Sequence, residues 1–181
     1  MFIGFEVECI AKGKMRSPYE FGCKVSLAIN VNRAKAGHFI LSARAVHGRP
    51  YDGHTLQSTI KDAEQNTGIE VKRIYVDKGY AGHDYENKLK VFKSGQRRGV
   101  YGQIKRELKR RSAIEPIIGH LKSDHKMNRC RLKGWLLGDK INAIFASIAF
   151  NFKQVLNFLK KFYHAFIQML IISTISTKFA H

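Results

Sequence analysis

The chain has 181 residues and carries 32 Lys+Arg against 14 Asp+Glu, giving a formal net charge of +18 and an isoelectric point near 10. With 44% hydrophobic and 11% aromatic residues it has enough apolar surface for one sizeable core, which excludes a disordered basic tail. A folded domain this basic points to a polyanion, because each Lys or Arg that meets a phosphate releases condensed counterions, and nucleic acid is the leading partner.

Residues Met1 to Ile10 hold no basic segment followed by an apolar run, so no secretory signal is expected. The three cysteines, Cys9, Cys23 and Cys130, form no Cys-x-x-Cys pair, which suggests neither a disulfide framework nor a zinc knuckle and fits a reducing, cytoplasmic setting. Phe21 to Val31 and His38 to Val46 are rich in β-branched and aromatic residues, with Asn32, Lys35 and Gly37 supplying the turn, and predict a hairpin. Leu56, Ile60 and Ala63, with a stop at Gly68, predict a short helix. Val71 to Val76 predicts a strand ending on Asp77 and Gly79; a weaker strand follows at Lys90 to Lys93, then a polar loop at Ser94 to Gly102.

From Gln103 to about Asn128 the pattern is helical and very basic. Residues 88 to 133 contain 15 Lys+Arg and three acids, so this quarter of the chain supplies +12 of the +18 and marks the phosphate-facing surface. A last helix is predicted from about Gly138 to Tyr163, and its stripe of Ile141, Ile144, Phe145, Ile148, Phe152, Val155, Leu156, Leu159 and Phe162 reads as core. Phe162 to Thr177 carries no charged residue, but it is shorter than the ~20 apolar residues of a spanning helix and loaded with Ser and Thr. We expect a packed or partner-facing helix end there, and no membrane span. Strands, a helix, another strand and then helices make an α/β or α+β domain over residues 1–160, with an apolar tail at 161–181.

Acids are scarce, so their positions carry information. Asp77 stands at the C-terminal end of a predicted strand, the edge at which open α/β sheets bind ligands. Arg111, Glu115 and Lys122 are spaced by four and seven, which on a continuous helix places all three on one face. A carboxylate flanked by two cations suits a hard divalent ion beside a nucleic-acid backbone. A plainer account also exists: a strand-end Asp before Gly is common turn chemistry, and Ser112-Ala113-Ile114-Glu115 reads as a capping box, with Pro116 in the first helical turn. His120 and His125 read as a solvated helix face rather than zinc ligands. Trp135 stands either at a core edge or against a base, and Lys12, Lys14 and Arg16 either at the surface or on DNA.

Asp77-Lys78-Gly79-Tyr80 followed by Arg111-x3-Glu115-x6-Lys122 resembles the C-terminal signature of bacterial insertion-sequence DDE transposases of the IS-four-like superfamily. Glu6 to Lys14, Pro18-Tyr19-Glu20-Phe21-Gly22 and Gly48-Arg49-Pro50-Tyr51-Asp52-Gly53-His54-Thr55-Leu56 resemble its five-type group, and the similarity runs from about Glu6 to Phe158. The resemblance implies a ribonuclease-H-like α/β catalytic domain with C-terminal helices that cuts and joins DNA with two Mg2+ held by two Asp and one Glu. By position Asp77 is the second acid and Glu115 the third, and both are metal ligands. Arg111 and Lys122, with Lys105 and Arg110 of the same basic stretch, are DNA-binding candidates. Leu108 occupies the position of the signature's Tyr. The implied partners are insertion-sequence ends and target DNA, with a homo-oligomer also considered, in the bacterial cytoplasm at the nucleoid.

In such proteins the first acid lies on the first strand, upstream of the region matched here. None of Glu6, Glu8 and Asp52 matches it by motif. The expectation is therefore an incomplete domain, N-terminally truncated, lacking its first strand and first Asp, and inactive alone because a two-metal site with a missing carboxylate holds its ions poorly. The alternative is a basic DNA-binding protein without catalysis.

Overall fold

The computed structural model describes residues 8–11, 15, 19–87 and 90–179. Glu6, Lys12, Lys14, Arg16 and the side chain of Trp135 lie outside the described residues. Two short strands come first, β1 (Cys9–Ala11) and β2 (Tyr19–Phe21), paired antiparallel. The expected hairpin follows as β3 (Lys24–Ile29) and β4 (Ile40–Val46), antiparallel with a register irregularity at Ala28/Ile29. A 3-10 turn at Asp52–Thr55 leads into helix α1 (Leu56–Thr67).

Helix α1 buries Leu56, Thr59, Ile60 and Ala63, the i, i+3, i+4, i+7 face of a helix lying on the hairpin. It stops at Gly68, whose φ of 67° is the left-handed conformation that glycine adopts at least cost. Next come β5 (Ile74–Val76) and β6 (Val91–Lys93), paired in parallel. The basic stretch forms α2 (Gly102–Arg110), a 3-10 turn at Arg111–Ala113, and α3 (Ile114–Ser123). The chain ends in one long helix, α4 (Trp135–Phe179), which continues unbroken past residue 160.

Two apolar clusters hold this together. Leu56 and Ile60 of α1 pack with Ile74, Val76, Tyr85 and Val91, and Ile40 of β4 packs with Ile117, Leu121, Ala146 and Phe150 of α3 and α4. The outer edge of β4 is closed by side-chain amides: Asn151 Nδ2 donates to Ile40 O, Ile40 N donates back to Asn151 Oδ1, each at 2.9 Å, and Asn66 Nδ2 donates to Leu41 O. Among the described residues the outer edge of β3 has no such cover, and no backbone pairing joins β3 to β5.

Two expectations about the helices fail. The capping box does not form: Ser112 Oγ donates back to Lys109 O, and α3 begins without a side-chain cap because the chain enters it already helical from the 3-10 turn. Nor is the apolar stripe of α4 core. Phe145 is 63% exposed, Phe152 64% and Leu159 51%, whereas the face against the hairpin is Ala143, Ala146, Ser147 and Phe150. Small residues allow the helix backbone to approach closely, and a helix apolar on several sides can bury only the side that has a neighbour. Beyond Gln154 the helix is exposed through Ile172 apart from half-buried Ile167, so of the packed and partner-facing readings of this end, packing within the chain is not seen through Ile172. The stretch Leu136–Ile172 is long and apolar enough to cross a membrane by length and composition alone.

Candidate active site

Between the open edges of β3 and β5 lies a cavity of about 450 Å³. Its walls are apolar: Leu27 and Ile29 from β3, Leu56 and Ile60 from α1, Ile74 and Val76 from β5, Ile114 and Ile118 from α3. Neighbouring strands pair across ~4.8 Å, and here two strands share a cavity with no strand between them among the described residues.

Asp77, Arg110, Arg111 and Glu115 lie at this cavity, and Asp77 and Glu115 are its acids among the described residues. Asp77 sits one residue past β5 and is 63% exposed at its side chain; Oδ1 accepts from Lys78 N at 2.7 Å and lies 3.8 Å from Arg111 Nη1. The plain turn role anticipated for this residue is therefore present, together with a cationic neighbour brought from another element. Glu115 is exposed and makes no hydrogen bond or ion pair among the described residues. The shared face expected for Arg111, Glu115 and Lys122 is broken by the 3-10 turn: Arg111 and Glu115 reach the cavity, while Lys122, in the last turn of α3, does not line it. Lys105 is exposed on α2, and Arg110 donates through Nη1 to Asn32 Oδ1 on the hairpin turn. Asp52 is held by Lys24 Nζ at 2.7 Å, which makes it an anchor of the β3 entrance. Its Oδ2 also lies 3.2 Å from where a Cβ on Gly79 would stand, so the residue two after Asp77 is one where a side chain would crowd.

One acid escaped the sequence reading. Glu107, on the basic helix α2, is buried with its side chain 4% exposed, and accepts from Arg73 Nε at 2.8 Å, Gln103 Nε2 at 2.7 Å and the Tyr75 hydroxyl. Burial by itself would raise its pKa, but these hydrogen bonds and the Arg73 charge outweigh it and hold the carboxyl down at about 2. The cluster ties α2 to the strand that ends on Asp77. Its signal lay in two spacings, Arg73 and Tyr75 two apart in an extended segment and Gln103 and Glu107 four apart on a helix. Asp124 likewise stays ionised through hydrogen bonds from Ser123, Lys153 and His120. His120 and His125 take structural roles, the first on Asp124 at 3.0 Å and the second edge-on against the Phe150 ring.

Two carboxylates from different elements thus line one cavity of a mixed α/β scaffold that ends in a long helix. The chain belongs to the transposase DDE domain family, whose model matches residues 6–137. No curated protein and no solved structure matches it. Transposases of this family act on DNA and generally use divalent metal ions. The residues present suit such ions: Asp77 and Glu115 are solvent-accessible hard oxygen donors at one cavity, and both contacts made by Asp77 fall on Oδ1.

Proposed function

We propose that this chain contributes the second and third carboxylates, Asp77 and Glu115, of a DNA-transposition site, and that it cleaves no DNA until a further strand fills the β3–β5 gap. The observation that supports the reading is that both acids line one cavity, shared by β3 and β5, which are not paired with one another among the described residues. An extended segment there could bond to both edges and bring a third carboxylate beside Asp77. Asp77 and Glu115 would hold Mg2+, two ions in the complete site; bound metal supplies charge neutralisation at the scissile phosphate and an activated water. Arg111 steadies Asp77 and, with Arg110, Lys105 and Lys122, grips the DNA backbone, since guanidinium forks match phosphate geometry. The IS-four-like, five-type assignment rests on the motifs around Glu6, Pro18 and Gly48, and the expected setting is the cytoplasm at the nucleoid. The finer membership and assembly into a homo-oligomer are parts of the same reading.

The test is a nicking assay in Mg2+ or Mn2+ on DNA carrying the element's terminal repeats. The chain alone is expected to bind without cutting, and to cut once a segment encoding a strand with an Asp is fused ahead of Glu6. Cutting by the fusion that survives Asp77→Ala or Glu115→Ala would overturn the assignment of those residues. Cutting by the chain alone would overturn its inactivity.

A further inference from the structure

A second group of donors lies away from this cavity. Cys23, just before β3, His47, just after β4, and Asp139, in the first turns of α4, each place one ligand atom within 4.8 Å of the other two, and all three residues are half-buried. The fold brings them together for a plain reason. In the hairpin Lys24 pairs with Val46 and Val25 with Ala45, so Cys23 and His47 stand opposite one another one step beyond the ladder. Asp139 lies four residues before Ala143 and seven before Ala146, on the side of α4 that packs against the hairpin.

The surroundings resemble those of a metal centre. His47 Nδ1 lies 3.3 Å from Glu8 Oε1, which also accepts from Gly48 N at 3.0 Å; this makes Nδ1 the protonated nitrogen and leaves the lone pair on Nε2. A carboxylate behind the ring is how metal-binding histidines are usually oriented. The other oxygen of that carboxylate, Glu8 Oε2, is buried without a hydrogen-bond partner among the described residues. Two carboxylates and a neutral thiol thus gather in one half-buried spot of a chain whose net charge is +18, and the charge of the carboxylates is what a divalent cation would neutralise.

We infer that Cys23, His47 and Asp139 form a site for a divalent transition-metal ion of the zinc type, oriented through Glu8 and separate from the Asp77–Glu115 cavity. The donor set decides the class of ion. Sulfur and imidazole nitrogen suit borderline-soft Zn2+, whereas Mg2+ and Ca2+ want oxygen alone. Bonds of about 2.0–2.3 Å put tetrahedral ligand pairs ~3.5 Å apart, so side-chain movements on the order of 1 Å close the set around an ion, with water at the fourth position. Forming the bond to Cys23 Sγ releases the thiol proton to solvent, and no electron is transferred. Such an ion would fasten the N-terminus of α4 to the open end of the hairpin.

The test is a Co2+ titration of the reduced, chelator-treated full chain, read by absorbance. One equivalent is expected to give intense tetrahedral ligand-field bands and a thiolate-to-cobalt charge-transfer band, both removed by one equivalent of Zn2+. The charge-transfer band should vanish in Cys23→Ser and persist in Cys9→Ser and Cys130→Ser. Asp139→Asn, which keeps the side chain's shape, should weaken Co2+ at least 10-fold, and Glu8→Gln about 10–100-fold. A wild-type titration without the charge-transfer band, or a band that follows Cys9 or Cys130, would overturn the site whether or not every variant folds.

Discussion

Asp77 shows how one side chain can satisfy local geometry and a remote partner together. Its position at a strand end was readable from the sequence, and only the motif resemblance linked it to Glu115. The ion pair with Arg111 was only half legible, because the 3-10 turn that rotates Arg111 toward β5 follows from tertiary packing rather than from any local breaker. Glu107 was not legible as a buried residue at all: an acid in a run of Lys and Arg looks solvated, and only the fold supplies Arg73 and Tyr75. This residue makes a direct prediction. Its carboxyl sits near 2 in the folded protein against an ordinary 4.5, so the folded state binds fewer protons than the unfolded chain between those values. The stabilisation is complete above about pH 4.5 and is lost as pH falls toward 2. Urea midpoints measured across this range should show that loss in the wild type and much less of it in Glu107→Gln. At neutral pH the Gln variant should cost about 1–3 kcal/mol, since it leaves Arg73 and Tyr75 with a weaker acceptor.

Among the elements, the hairpin, α1 and the strand ending on Asp77 were legible because each combines periodicity with a terminator that the fold uses: Gly37 in the hairpin turn, Gly68 after α1, Asp77 and Gly79 after β5. Helix α4 was legible as a helix but not as to which side is buried. Its Ile and Phe residues recur on more than one side, and the contact with β4 selects the small residues together with Phe150. The consequence can be measured with two substitutions only two positions apart. Phe150, 4% exposed, should cost about 3–5 kcal/mol when changed to Ala. Phe152, 64% exposed, should change the unfolding free energy by no more than about 0.5 kcal/mol when changed to Ser, while lowering the binding of a hydrophobic dye to the native protein. If the stripe were core, the two costs would be alike.

For the molecule as a whole, charge was the most legible property and sheet continuity the least. The +12 carried between residues 88 and 133, the stretch of sequence that contains Glu115, predicts non-specific DNA binding that falls linearly in log affinity with log salt. Lys105→Gln and Arg110→Gln should each reduce that slope by about 1 and weaken binding evenly across sequences. The expectation of a missing first strand named no neighbours for it, and the apolar walls of the β3–β5 cavity were not legible, because they come from four elements that meet only in three dimensions. Helix α4 also changes what size means for this protein. Residues 155 to 172 are exposed apart from Ile167 and the helix runs on to Phe179; at 1.5 Å per residue, residues 155 to 179 measure about 37 Å. A chain of 181 residues folded into a ball has a radius of gyration of about 16 Å. Small-angle scattering of the dilute monomer should therefore exceed that radius and show a long tail in its distance distribution, a mechanical signature of an arm on which a small tilt at Asn151 moves the far end by several ångströms.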